Sequence, residues 1–338
     1  MSRIVARLFS LIVQHVCPAL QLWLVIIVVP AIGRAQSNDT LQYSLRHFND
    51  ENGLPQNSVK SIVPGASGFI WLATENGVVR FDGHHFLIYN KDNTGFESSR
   101  IYSIIPSGIP NTYYAVTDRE QVGEIQNGTI ALVGNDTVKQ NIYLQGHLLS
   151  VNPVKQYTAI GLPNIFSEGI RFRSYIIPLD ATTWYSLDSG RIFINQHGQK
   201  RELARLRGTS PYNFFLLDSN LYYWSHRRGA IILDSARHTF VTTRVTGDMV
   251  QSRAWKTRRR PDKIYWNIAA GEVFFYLNQS LYKVIAMPDG SLHTRCILNH
   301  FNLPVNKVVS VYYDESLQQL FLGSLTNGLF VFKRKLFI

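Results

Sequence analysis

The chain has 338 residues, of which 45% are apolar, 12% aromatic and 17% charged. That balance excludes a disordered or fibrous chain and leaves room for one large domain or two ordinary ones, and the abundance of Tyr and Phe favours strands over helices. The formal net charge of +11 suits attraction to polyanions such as an acidic glycan or a membrane surface; with the charges mostly scattered and no nucleic-acid fold signature, nucleic acid is not an expected partner.

Residues 1–35 read as an export segment separate from the fold. Arg3 and Arg7 form a positive start, Ala19 to Ile32 is an apolar run too short for a comfortable membrane span, and Gly33-Arg34-Ala35 places small residues where a signal peptidase reads. Cleavage after Ala35 is expected. An uncleaved anchor is the competing reading, because the broader apolar region begins at Leu8. Either way the remainder is expected to be exported, periplasmic or otherwise extracytoplasmic, and residues 36–338 keep a formal charge of +8. Cys17 falls in this segment and leaves Cys296 alone, so no internal disulfide is available and packing must hold the fold together. Cys296 sits in the alternating run His293 to Leu298 and reads as a small buried hydrophobe.

After a polar leader, Tyr43 to Phe48 alternates as a strand, and Asn49 to Pro55 is dense in turn formers. Four short strands are predicted next, at Val59 to Val63, Phe69 to Thr74, Val78 to Phe81 and His85 to Tyr89. Within them residues 67–83 make a hairpin, in which Phe69, Trp71, Val79 and Phe81 recur at a period of two around the Glu75-Asn76-Gly77 turn. Ile101 to Ile105, Thr112 to Val116 and Val122 to Ile125 repeat the pattern. From Asn141 to Ile177 the turn signals are spread out around apolar runs at Tyr143 to Leu149 and Ile170 to Ile177, which fits an insertion or a degraded repeat. Strands resume at Thr182 to Leu187, Arg191 to Asn195, Tyr212 to Leu217, Leu221 to Ser225 and Ala230 to Leu233. The basic run Arg253 to Lys263 reads as a solvated loop, with an anion-binding patch as the functional alternative. Beyond it, Lys263 to Ile268, Glu272 to Leu277 and Ser280 to Ile285 form a further group.

The last group echoes the first, with strands at Val308 to Tyr312, Gln319 to Gly323 and Leu329 to Phe332. Ile70-Trp71-Leu72-Ala73-Thr74 aligns with Leu320-Phe321-Leu322-Gly323-Ser324, and Asn76 to Phe81 aligns with Asn327 to Phe332. Comparable aromatic residues fall at Trp71, Tyr114, Trp184, Phe215, Phe274 and Phe321. Dividing the exported length by roughly 45 residues per unit predicts an all-β β-propeller of six or seven blades, each a four-stranded antiparallel sheet, over residues 36–338, with a C-terminal blade that is either complete or incomplete. Radial packing buries both faces of each sheet and leaves few edges; a sandwich or Greek-key barrel does not explain the recurring turn. Phe69, Trp71, Arg80, Phe81, Phe321 and Phe330 are then the expected blade-interface residues, Arg80 through a hydrogen bond or ion pair between blades.

Residues 43–89 also carry a motif. Gly53, Leu54, Pro55, Gln56, Asn57, Ser58 and Val59 precede Gly68, Phe69, Ile70, Trp71, Ala73, Thr74, Gly77, Val78, Arg80, Phe81, Asp82 and Gly83. This pairing resembles the opening of the periplasmic sensor region of Bacteroidetes hybrid two-component system histidine kinases, the regulator-propeller repeat family. Ala73 departs from the more usual Gly, and the likeness is weak between the first and last repeats. The resemblance implies a non-catalytic sensor of glycans or their breakdown products, a homodimer as a second kind of partner, and a membrane link and kinase in the full-length protein. The sequence looks like the amino-terminal piece of such a sensor.

No chemistry stands out beside it. The ten His residues show no HExxH and no metal-ligand spacing, no phosphate-cradling loop appears, and no cofactor is expected. His84 and His85 read as exposed turn residues, Asp50 and Glu51 as turn caps, and the Asn-x-Ser/Thr sites at Asn127, Asn135 and Asn278 as turns. A propeller lyase or glycosidase, with two carboxylates converging on the axis, and a purely protein-binding propeller are the alternative functions.

Overall fold

A computed structural model describes residues 42–335, apart from 66–67, 108, 120, 134–156, 160–173, 180–182, 189, 197–198, 207–209, 211–212, 226 and 258–259. The export segment with its cleavage site and Cys17, the Tyr143 to Leu149 run and Asn135 lie outside the described residues. Among the described residues the chain is a β-propeller of six sheets.

Strand β1 (Tyr43–Phe48) precedes the first complete sheet, β2 (Val59–Pro64), β3 (Ile70–Thr74), β4 (Gly77–Phe81) and β5 (Phe86–Tyr89). The second is β6 (Ile101–Pro106), β7 (Tyr113–Thr117), β8 (Val122–Gln126) and β9 (Thr129–Val133). The third runs β10 (Tyr157–Ala159), β11 (Ser174–Pro178), β12 (Thr183–Asp188), β13 (Arg191–Gln196) and β14 (Gln199–Arg205), with β10 parallel to β11. The fourth holds β15 (Phe214–Leu217), β16 (Asn220–Ser225), β17 (Gly229–Asp234) and β18 (Thr239–Thr242). The short β19 (Val245–Gly247) lies parallel to the outer strand of the fifth sheet, β20 (Lys263–Asn267), β21 (Glu272–Leu277), β22 (Ser280–Ala286) and β23 (Leu292–Leu298).

The sixth sheet answers the question of whether the last blade is complete. Its chain-consecutive strands are three, β24 (Val308–Asp314), β25 (Gln319–Ser324) and β26 (Leu329–Arg334), and β1 supplies the fourth, antiparallel to β26 from Tyr43↔Arg334 to Phe48↔Leu329. The edge that three strands would expose is thereby paired, and the ends of the ring are joined in one ladder.

Adjacent sheets pack face to face. Phe48, Ile70, Val79 and Phe81 meet Phe321 and Val331 between the sixth and first sheets; Trp71, Ala73 and Val78 meet Ile101, Ala115 and Ile125 between the first and second. Because Trp71 pairs with Arg80 and Leu72 with Val79, Trp71 and Phe81 lie on opposite faces of one sheet, contrary to the single period-two face read from the sequence. The two-residue turn shifts the parity, and all five residues of β3 are buried. Gly77 and Gly328 hold the turns of the two echoing hairpins at positive φ, and a Cβ on either would collide with the carbonyl oxygen of Tyr89 or Phe48, respectively.

The fourth strand of each sheet is where the sequence pattern fades. β9, β14 and β18 alternate weakly and carry exposed or charged residues, since their outer side faces solvent. Arg253 to Lys256 forms a short helix rather than a loop: α1 (Lys91–Thr94) caps the first sheet's exit, and α2 (Asp248–Gln251) and α3 (Arg253–Lys256) follow β19.

Candidate functional site

At the end of the ring where the innermost strands begin, a charge cluster around the buried Lys60 bridges the first two sheets. The β2–β3 register skips Lys60, a bulge of the kind that re-aims a side chain. Lys60, 1% exposed, donates from Nζ to the Ile101 carbonyl at 3.0 Å, ion-pairs with Glu75 of the β3–β4 turn, and lies 5.6 Å from the Tyr102 ring centre. Arg100 Nε donates to the second Glu75 oxygen at 2.5 Å. Burial draws the Lys60 ammonium below its ordinary range, with Glu75 opposing the shift. Burial works to raise Glu75, but the hydrogen bonds from Lys60 and Arg100 outweigh it and hold the carboxyl below its usual value. Asp118 occupies the corresponding turn of the second sheet, its N–H donating to the Arg100 carbonyl at 3.0 Å. Its Oδ1 is buried with no hydrogen-bond partner among the described residues. Lys60, Glu75 and Arg100, the Tyr102 phenol and the Asp118 oxygen thus gather hydrogen-bonding groups of both kinds at this end of the first two sheets.

Two sequence signals could have located the cluster. Val59-Lys60-Ser61, Ile101-Tyr102-Ser103 and Val308-Val309-Ser310 share the same bulge position followed by Ser. Ser61 Oγ meets Ser103 Oγ at 3.3 Å, and Ser310 Oγ donates to the Val59 carbonyl at 3.2 Å. The entry loops repeat as well: Asn49 and Asn90 each cap a short turn, with Asn52 or Asn93 closing a reciprocal capping box before Gly53 or Gly95.

At the opposite end, Asn267 Nδ2 donates to the carbonyls of Ile62 at 2.8 Å and Val311 at 3.0 Å. One amide therefore ties the innermost strands of the fifth, first and sixth sheets. Nearby, Lys283 Nζ holds Glu272 at 2.7 Å and Glu315 at 3.0 Å, and Glu272 also accepts from the Tyr313 N–H at 3.0 Å. Burial raises the Glu272 carboxyl despite its partners. With both oxygens engaged and an ammonium between the two carboxylates, this is a clamp between sheets rather than an acid–base pair.

The six interface residues expected from the sequence fall as follows. Trp71 packs against the second sheet, Phe81 and Phe321 in the seam between the sixth and first, and Phe330 in that between the fifth and sixth. Arg80 donates from Nη1 to the Gly128 carbonyl of the second sheet at 2.9 Å and lies 4.5 Å from the half-buried Phe69 ring centre. Among the comparable aromatics, Tyr185 rather than Trp184 packs in the seam toward the fourth sheet, a slip of one residue. His84 and His85 are exposed, their N–H groups donating to Asp82 and holding its carboxyl at about 2. Burial pushes the Cys296 thiol up to about 12, the behaviour of an inert packed sulfur. No group of three or more His, Cys, Asp or Glu that could hold a metal occurs among the described residues.

No family model matches the chain, nor does any curated protein. Among solved structures it is similar to the extracellular domain described as that of hybrid two component system BT3049 from B. thetaiotaomicron, at 14% identity and TM-score 0.49, over 86% of this chain and 42% of that one. PorZ, described as a surface component of the type-IX secretion system of Porphyromonas gingivalis, is similar at 10% identity and TM-score 0.47, over 87% and 39% of the two chains. The extracellular domain described as that of one component system BT4673 from B. thetaiotaomicron follows at 11% and 0.39, over 87% and 40%. The chain spans about two fifths of the length of these solved chains.

Proposed function

We propose that this propeller is the extracytoplasmic ligand-sensing domain of a two-component signal transduction system, and that it recognises a glycan or oligosaccharide without catalysing a reaction on it. The reading is supported by the sensor-like opening at residues 43–89. The observation that carries it is the mouth that this segment shares with the second sheet, where Lys60 and Glu75 are locked to Arg100 beside the Asp118 oxygen, which has no hydrogen-bond partner among the described residues. Sugar hydroxyls both donate and accept, as such a mixed surface requires. Glu75 is held ionised by two cations, which suits binding and not the proton donation a glycosidase needs.

In this reading ligand binding braces the first two sheets against one another, and a neighbouring subunit in a homodimer or a membrane-linked part of a longer protein receives the shift. Binding is tested by calorimetry and thermal melting of the purified protein against a panel of oligosaccharides. Saturable binding to at least one, with a raised melting temperature, is expected. Absence of both across the panel would overturn the reading.

A further inference from the structure

The side of the ring bearing the mouth also carries a cationic patch, over the fourth and fifth sheets. It is assembled from the described residues of two chain stretches that contain no carboxylate: 219–233, with Arg227 and Arg228 in the β16–β17 turn, and 249–261, with Arg253, Lys256 and Arg260. Trp224, at the end of β16, packs edge-on against Trp255 of α3 with ring centres 6.1 Å apart, which brings the two segments together. Arg260 lies 4.6 Å over the Trp255 ring, and Arg228 Nη2 donates to the Phe240 carbonyl at 3.2 Å. Arg227, Arg253 and Lys256 are exposed. The carboxylates flanking the second segment are occupied by the fifth sheet, Asp248 accepting from the Cys296 N–H at 2.8 Å and Asp262 from the Asn278 N–H at 3.1 Å, and those flanking the first, Asp218 and Asp234, lie at the ends of β16 and β17 away from their shared turn. Like charges are thus gathered with no acid among them, around a half-buried indole.

We infer that this patch binds an acidic polysaccharide, one bearing carboxylate or sulfate groups, and so gives the sensed glycan its chemical class; the inference rests on the glycan-sensing reading above. Guanidinium groups pair with planar or tetrahedral oxyanions through several hydrogen bonds, and the flat Trp255 face accepts a sugar ring or the Arg260 plane. An anionic membrane is the less fitting polyanion. Surface insertion uses protruding apolar side chains, and no exposed large apolar residue occurs between 219 and 262 among the described residues.

The test measures binding of the full chain to heparin, polygalacturonate, neutral dextran and anionic phosphatidylglycerol vesicles. The patch variant Arg253→Glu, Lys256→Glu, Arg260→Glu is compared with a control of equal charge, Lys200→Glu, Arg201→Glu, Lys333→Glu, on β14 of the third sheet and on β26. A second pair, Arg227→Glu with Lys256→Glu, leaves the Arg260–Trp255 stack in place if the triple variant fails to fold. Expected are salt-sensitive binding of heparin or polygalacturonate and none of dextran, weakened about tenfold by the patch changes and less than about twofold by the control. Equal loss in both variants, no binding of either polyanion, or tighter binding of vesicles than of polysaccharide would overturn the inference. A neutral oligosaccharide that binds wild type and patch variant alike, while polyanions ignore the patch, overturns it and leaves the sensing reading standing.

Discussion

Two seams of the same ring are held by different physics. Between the fourth and fifth sheets Phe215, Tyr222 and Trp224 interleave with Phe275, Leu277 and Val284, with Phe215–Phe275 and Trp224–Phe275 ring centres 5.6 Å and 4.9 Å apart. Between the first and second sheets the apolar contact of Trp71, Ile101 and Ala115 is accompanied by Lys60–Glu75–Arg100, Ser61–Ser103, and the Arg80 and Tyr89 bonds to the Gly128 carbonyl. Burial of aromatic area is non-directional and tolerant of small shifts. Buried charge is directional and costly when a partner is missing. The first seam suits a fixed support, the second a place where an added ligand group changes the balance between two sheets.

The largest losses are expected where only packing is at stake. Phe275→Ala or Trp71→Ala should each cost about 3–5 kcal/mol, read by denaturant titration; a loss below about 1 kcal/mol at Trp71 would mean its ring does not bear on the second sheet. Glu75→Ala comes next. It strands the buried Lys60 ammonium and should cost about 3 kcal/mol, while Lys60→Met together with Glu75→Leu should recover most of that loss. If the double variant is as unstable as the single one, the charges are not what makes this seam distinct.

How far the sequence carried these contrasts depends on what each residue faces. A strand buried on both sides announces itself: β21 is Glu272–Leu277 in the sequence pattern and in the fold alike. Outer strands do not, because β14, Gln199–Arg205, reads QKRELAR and owes its place to the ladder with β13 rather than to its own pattern. The joining of β1 to β26 was invisible for another reason, since pairing across nearly the whole chain leaves no local signal. The Lys60 cluster was partly legible, through the repeated Ser after each bulge. Its assembly across two sheets was not, because register alone decides which side chains meet.

Smaller effects sharpen the comparison. Asn267→Ala removes the amide that ties three innermost strands and should cost about 2 kcal/mol, with faster hydrogen exchange in β2 and β24 as the accompanying sign. Acid should act unevenly. Glu75 titrates below its ordinary 4.5 in the folded state, so its contribution is fully present above that value and is lost as pH falls through the depressed one. Glu75→Gln should therefore flatten the acid limb of a stability-versus-pH curve, whereas Phe275→Ala should lower the curve at every pH without reshaping it.

Hydrogen exchange by mass spectrometry, with and without a saturating oligosaccharide from the binding panel, tests the account most directly. A sensing mouth on the charged seam predicts that the ligand slows exchange at residues 57–61, 74–77 and 100–104 and leaves the aromatic seam at 214–224 and 273–277 unchanged. Protection confined to the aromatic seam, or none anywhere at saturation, would contradict it.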